Sequence, residues 1–196
     1  MFAGIIEATG EIREVKPGGK GLRLTIGTTL DLSDIKVGDS IAVDGICLTV
    51  IACSVNSFSA DVSQETLNCT AGFVVRGKVN LEKALRVSDR INGHLVSGHV
   101  DGVGQVVKFE RVGECYLLSI KAPRGLAKYI ARKGSIAVNG VSLTVSETRS
   151  SAFNVNLIPH TIDVTTMKYL KRGASVNLEV DMMARYAERI LKAGSK

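Results

Sequence analysis

The chain has 196 residues, 45% hydrophobic and 22% charged, which suits either one large domain or two of about 100 residues. Only three prolines and no tryptophan argue against a long disordered linker or a Trp-rich binding face. The net charge of +6 is uneven, with 10 Lys/Arg against 11 Asp/Glu in residues 1–90 and 15 against 8 in residues 91–196, but the basic residues are dispersed and aromatics make up 5%, so a solvated basic face is expected and not a nucleic-acid partner.

The opening segment, MFAGIIEATGEIREV, lacks a basic start and is interrupted by Glu7, so no secretory leader is expected. Leu22, Leu24 and Ile26 alternate with polar or basic residues, the period of a strand. At 40–50, SIAVDGICLTV sets Asp44-Gly45 between two β-rich runs. That reads as a tight hairpin, because both turn residues tolerate positive φ. The charge-free run 45–60 is too short to span a membrane, so a cytoplasmic protein with no membrane partner is expected. Cys47, Cys53, Cys69 and Cys115 form no C-x-x-C pair and no zinc-like grouping, so reduced thiols and no metal site are expected. Leu118 and Ile120 mark another strand. Gly125–Lys133 reads as a helix with Leu126, Tyr129 and Ile130 on one face. SIAVNGVSLTV at 135–145 is a second hairpin around Asn139-Gly140. Met182, Met183, Tyr186, Ala187, Ile190 and Leu191 form the apolar stripe of a C-terminal helix, which either caps its own barrel or packs against neighbouring subunits.

The two hairpins agree at eight of eleven positions, 95 residues apart. GIIEATGEI from Gly4 recurs as GHVDGVGQV from Gly98, 94 residues on. Phe58-x-Ala-Asp-Val recurs as Phe153-x-Val-Asn-Leu, and VNLE occurs at 79–82 and 176–179. Matches in one order at nearly constant offset define a tandem duplication, with copies at 1–94 and 95–190 and the added helix at 182–193. Short strands spaced by Gly-containing turns in units of this size point to an all-β fold of closed antiparallel barrels, because closure removes exposed edges.

In the second strand of each hairpin, Ile46, Leu48 and Val50 face one way and Cys47 and Thr49 the other, as Val141, Leu143 and Val145 oppose Ser142 and Thr144. The polar face is either an ordinary solvent face or the wall of a pocket for a flat, hydrogen-bonding ligand. The MF-x-GII start, the NGHLVSGHVDG junction and the paired G-x-x-LTV motifs resemble the riboflavin synthase family along essentially the whole chain. The resemblance implies two tandem six-stranded Greek-key β-barrels, each holding one 6,7-dimethyl-8-ribityllumazine. It further implies a dismutation in which one lumazine gives a four-carbon unit to another, yielding riboflavin and a ribitylamino-pyrimidinedione. No metal or redox cofactor is implied. A homotrimer with sites between chains is, and association with lumazine synthase is left open. The rival is a non-catalytic lumazine- or flavin-binding protein of the luminescence-antenna type.

Differences between the copies mark where chemistry is expected: Cys47 against Ser142, Ile5 against His99, Glu65 against His160, Ala84 against Asp181. By the resemblance, His99, Cys47, Ser142, Thr144 and Asp181 match the family's functional positions, with Ser40 and Phe2 close by. His99 leads as proton carrier, since imidazole titrates near ~6.5. Cys47 is a nucleophile or a polar contact. Asp181 orients a base or binds the pyrimidine. Lys133 reaches toward a ligand carbonyl or ribityl hydroxyl, and His94 reads as structural. The binding stretches carried over in copy one are Gly4, Ile5, Ile6; Cys47, Leu48, Thr49; and Asp61, Val62, Ser63, Gln64, Glu65, Thr66. Their partners in copy two are Gly98, His99, Val100; Ser142, Leu143, Thr144; and Leu157, Ile158, Pro159, His160, Thr161, Ile162. Thr66 and Thr161 suit capping as well as a ligand contact.

Overall fold

A computed structural model describes residues 1–18 and 21–194. Strands β1 (Ala8–Gly18), β2 (Gly21–Thr28), β3 (Ser40–Val43), β4 (Ile46–Ser54), β5 (Ser57–Ser63) and β6 (Lys78–Lys83) close in the order β1-β2-β5-β4-β3-β6. Strands β7 (Gly102–Val112), β8 (Cys115–Lys121), β9 (Ser135–Val138), β10 (Val141–Arg149), β11 (Ala152–Leu157) and β12 (Ser175–Val180) close a second barrel in the same cyclic order. Every pair is antiparallel, and β2 lying beside β5 gives each barrel its Greek-key path.

The repeated sequence dictates this locally. Asp44 and Gly45 (φ 47° and 78°) and Asn139 and Gly140 (φ 45° and 79°) turn the two hairpins, placing Val43 opposite Ile46 and Val138 opposite Val141. Register slips fall at equivalent places, between Ile12 and Glu14 and between Val106 and Lys108, and again between Val50 and Ala52 and between Val145 and Glu147. Such bulges sharpen strand curvature and let a short-stranded sheet close. Each barrel has its own core, around Leu24, Ile26, Ile41, Phe58 and Leu81 in one and Leu118, Ile120, Ile136, Phe153 and Leu178 in the other.

The barrels meet across a pseudo-twofold axis. Phe2 and Val96, equivalent residues, exchange backbone hydrogen bonds (2.8 and 3.0 Å) and pack with Ala42 and Ala137. Asn80 and Asn177 then lock the seam: the Asn80 amide donates to the Asn139 carbonyl (2.9 Å) and that of Asn177 to the Asp44 carbonyl (3.0 Å), while their carbonyls accept from Thr166 N and Ala71 N. A Cβ on Gly45 would lie 2.7 Å from Gly140 N, and the reverse contact is 2.8 Å, so the two turns touch backbone to backbone.

The helix expected over Gly125–Lys133 does not form. Only Ala127–Tyr129 makes a 3-10 turn; Ile130 is already extended and Lys133 sits at φ 68° to enter β9. Leu126, Tyr129 and Ile130 reach the second core from irregular chain, so the apolar triplet reflected burial without a helix. Two short helices appear instead, α1 (Gln64–Cys69), capped by Ser63 accepting from Thr66 N, and α2 (Pro159–Val164) with Pro at its start. The C-terminal helix α3 (Met182–Ala193) is capped by Asp181. It touches its own barrel through Glu188, which bonds Lys128 and Tyr129, and through Arg185, paired with Asp101. Met183, Tyr186, Ile190 and Leu191 are 66–71% exposed. The apolar stripe therefore does not cap the helix's own barrel.

Candidate functional site

The loop that precedes each barrel docks on the other barrel. Ser142 N donates to the Gly4 carbonyl and Cys47 N to the Gly98 carbonyl, both at 2.8 Å. Ile6 packs on the second core and Val100 on the first. Gly4 (φ 74°) and Gly98 (φ 81°) permit the approach, since an added Cβ would sit 2.6 Å from the Ser142 and Cys47 Cβ atoms respectively. The sequence groups Gly4–Ile6 with copy one and Gly98–Val100 with copy two; the fold crosses them. The crossing is a tertiary event with no periodic signature in the chain.

Two buried glutamates hold the loops. Glu82 accepts from Ala3 N (2.6 Å) and Gly4 N (3.0 Å). Burial pushes its carboxyl up to about 7, against the pull of the Ala3, Ile5 and Gly4 amides. Glu179 accepts from Ser97 N and Oγ (both 2.6 Å), Gly98 N (2.9 Å) and His99 N (3.0 Å). Sequence reasoning passed over both; the repeated VNLE, ending twice in an acidic residue inside an apolar strand, was the available signal.

A cavity of about 240 Å³ opens on the first barrel, lined by Ile46, Cys47, Glu65, Thr66, Cys69, Thr70, Gly98, His99 and Val100. A thiol from one repeat and an imidazole from the other therefore share one mouth. At the equivalent position of the second repeat, the Ser142 hydroxyl pairs with His94 Nδ1 at 2.7 Å. Burial lowers the His94 pKa; the nearby Asp181 and Glu179 carboxylates oppose this without reversing it. A neutral imidazole beside a hydroxyl can accept a proton. His94, read from sequence as structural, thus stands within the polar set, and its backbone N also bonds the Ala3 carbonyl (3.1 Å).

Other expected residues disperse. Phe2 is fully buried at the seam, behind Gly98. Leu48, Val62, Leu143, Leu157 and Ile162 belong to the cores. Asp61 forms a bidentate pair with Arg23 (2.7 and 3.0 Å) that holds its carboxyl below the usual range. Gln64 bonds Asn68 (3.1 Å). Thr49 and Thr144 are exposed opposite Ser40 and Ser135. Ser40 lines a separate open cleft of about 680 Å³ with Glu7, Asp31, Asp34 and Asp39. That cleft is larger, yet its Asp34 carboxylate is already paired to Lys83 and Arg86, whereas the smaller cavity holds the thiol and imidazole. Ile5, Lys133, Ile158, Pro159 and His160 are exposed. Asp181 stays near His94, and its Oδ1 also accepts from Met183 N (2.9 Å).

Residues 3–84 and 97–181 each match the lumazine binding domain family. Over 97% of this chain and 89% of the relative, the protein is 46% identical to the riboflavin synthase of Photobacterium phosphoreum. The chain belongs to the riboflavin synthase family. It is an enzyme of that family, 42% identical to the riboflavin synthase of Bacillus subtilis (strain 168) over 97% of this chain and 90% of that one. Crystal structures of LumP complexed with 6,7-dimethyl-8-(1'-D-ribityl) lumazine and with riboflavin superpose with TM-scores of 0.82 and 0.84 at 27% identity, covering 92% of this chain and 99% of theirs. The family's two-barrel architecture is thus the one observed, and among the described residues no helix is long and apolar enough to cross a membrane.

Proposed function

We propose that this enzyme converts two molecules of 6,7-dimethyl-8-ribityllumazine into riboflavin and 5-amino-6-(ribitylamino)pyrimidinedione by transfer of a four-carbon unit, without an added cofactor. One observation carries the reading: equivalent positions of a single repeat have been given two different chemistries, Cys47 sharing a cavity with His99 and Ser142 bonded to His94. A reaction between two copies of one compound, in which one donates carbon and the other accepts it, asks for that asymmetry. Holding both rings in register is worth up to ~7–11 kcal/mol of the barrier. His99 and His94 are the proton carriers, and Cys47 contacts or adds to the ring at the first mouth. The lumazine-binding units run over 1–94 and 95–190, with helix 182–193 appended, and the enzyme works in the cytoplasm as a homotrimer.

The buried cluster of Phe2, Ala42, Val96 and Ala137 includes the strand partners of both Cys47 (Ala42) and Ser142 (Ala137), which supports a working site formed between chains, one mouth from each. Incubating the protein with the lumazine alone tests the reaction. Riboflavin fluorescence should grow to one product per two substrates consumed, and His99→Ala should slow it by ~100-fold. Binding of the lumazine without turnover would instead assign the antenna-type role.

A further inference from the structure

The loop that carries His99 is gripped from two sides, and its counterpart in the first repeat is not. From β12, Glu179 takes the amides of Ser97, Gly98 and His99. From the first turn of α3, Arg185 Nη2 donates to Asp101 Oδ2 (2.8 Å) and to the His99 carbonyl (3.4 Å). Asp101 Oδ2 also accepts from Val180 N (2.8 Å), so one carboxylate oxygen ties loop, strand and helix together. Arg185 Nε is buried without a partner among the described residues. A guanidinium seated with a donor unsatisfied is held by its Nη contacts.

In the first repeat Glu7 stands where Asp101 does, and it accepts from Lys83 N (2.7 Å) just as Asp101 accepts from Val180 N. There, however, Ile5 replaces His99, the chain leaves β6 without a helix, and among the described residues Glu7 forms no ion pair. Among the described residues, the extra clamp occurs only on the repeat whose loop bears the histidine. We propose that Arg185 is a positioning residue for His99, and that helix α3 sets the geometry of the Cys47–His99 mouth through it. This rests on the proposed role of His99 in turnover.

The test uses the full-length enzyme, with kcat and KM for the lumazine measured alongside particle mass by light scattering. Arg185→Ala should lower kcat about 10-fold with KM within about twofold, because misplacing a reacting group acts on the chemical step more than on binding. Arg185→Lys, which still offers Asp101 a cation, should recover most of that loss. His99→Ala/Arg185→Ala should match His99→Ala alone, since a residue acting through His99 has nothing left to position. If the double variant falls below His99→Ala by the full Arg185→Ala factor, or if Arg185→Ala keeps the native kcat, the proposal is overturned. Should Arg185→Ala change the particle mass, Asp101→Asn decides with α3 intact. Loss of kcat at native mass supports the clamp, and native kcat rejects it. A fully active His99→Ala would overturn the role of His99 and this inference together. An impaired His99→Ala beside an inert Arg185→Ala would overturn this inference alone.

Discussion

Asp44 and Asn139 occupy the same turn position in the two repeats, and each accepts one backbone bond there, from Asn80 N (2.8 Å) and Asn177 N (2.7 Å). Enclosure at the seam pushes the Asp44 carboxyl up to about 7, its one amide bond offsetting little of the desolvation. A carboxyl whose pKa is raised on folding stabilises the native state when protonated, and that contribution is lost as pH rises toward and through 7. Asp44→Asn should therefore match the parent near pH 4 and exceed it at pH 8 by ~1–2 kcal/mol, discounted for partial solvent access, or about 2–8 °C in melting temperature. Thermal melts at the two pH values check this; equal differences at both would show that Asp44 is not desolvated. Glu82, also pushed up to about 7, adds to the parent's decline in the same direction.

At the scale of elements, the crossed loops depend on glycine at two points. Gly98→Ala adds a Cβ 2.6 Å from that of Cys47 at φ 81°. Strain of about 1–3 kcal/mol comes on top of the clash, so both stability and turnover should fall. Gly38→Ala is the control: φ is +100° but nothing lies within 4 Å, so it should cost strain alone and leave kcat unchanged. Denaturant titration with activity assays separates the two. The hairpins, strands and C-terminal helix were legible because their signals are local: alternation, an Asp-Gly or Asn-Gly pair, a helical stripe. The loop exchange was not, since it is decided where the chain passes Gly93–Gly98 beneath Ser142 and Cys47. Residues 125–133 misled because three apolar residues at helical spacing can be buried just as well from a single 3-10 turn. Comparing the copies pointed to Cys47, Ser142 and His99, and the fold puts Cys47 and His99 in one cavity; it could not point to His94, which has no counterpart in the first copy to compare.

At the scale of the whole molecule, α3 offers Met183, Tyr186 and Ile190 outward while Glu188 and Arg185 fasten it to its own barrel. Removing residues after Met183 should reduce the particle to smaller species in light scattering; an unchanged mass would exclude the helix as the association element. Placement of His99 beside Cys47 also decides which variants can complement. Cys47→Ala and His99→Ala damage the same mouth, so mixing them restores neither. Cys47→Ala mixed with Ser142→Ala leaves an intact first mouth on one chain and an intact second mouth on the other. Mixed oligomers, confirmed by mass, should regain part of the activity if sites form between chains. No recovery would place both mouths of each site on one chain.

The exchange of loops gives the duplication a second meaning. Neither half of the chain is complete by itself: the first lacks Gly98–Val100 and the second lacks Gly4–Ile6, while Glu82 and Glu179 would hold loops with nowhere to dock. A single repeat could complete itself only by trading loops with another copy of itself about the Phe2–Val96 axis. The present chain is in effect a covalently tethered pair, whose halves meet at a fixed effective concentration however dilute the protein. Within one tethered chain the two sides need not be identical, and isoleucine and histidine stand at the equivalent positions 5 and 99, which makes the partnership a handed one.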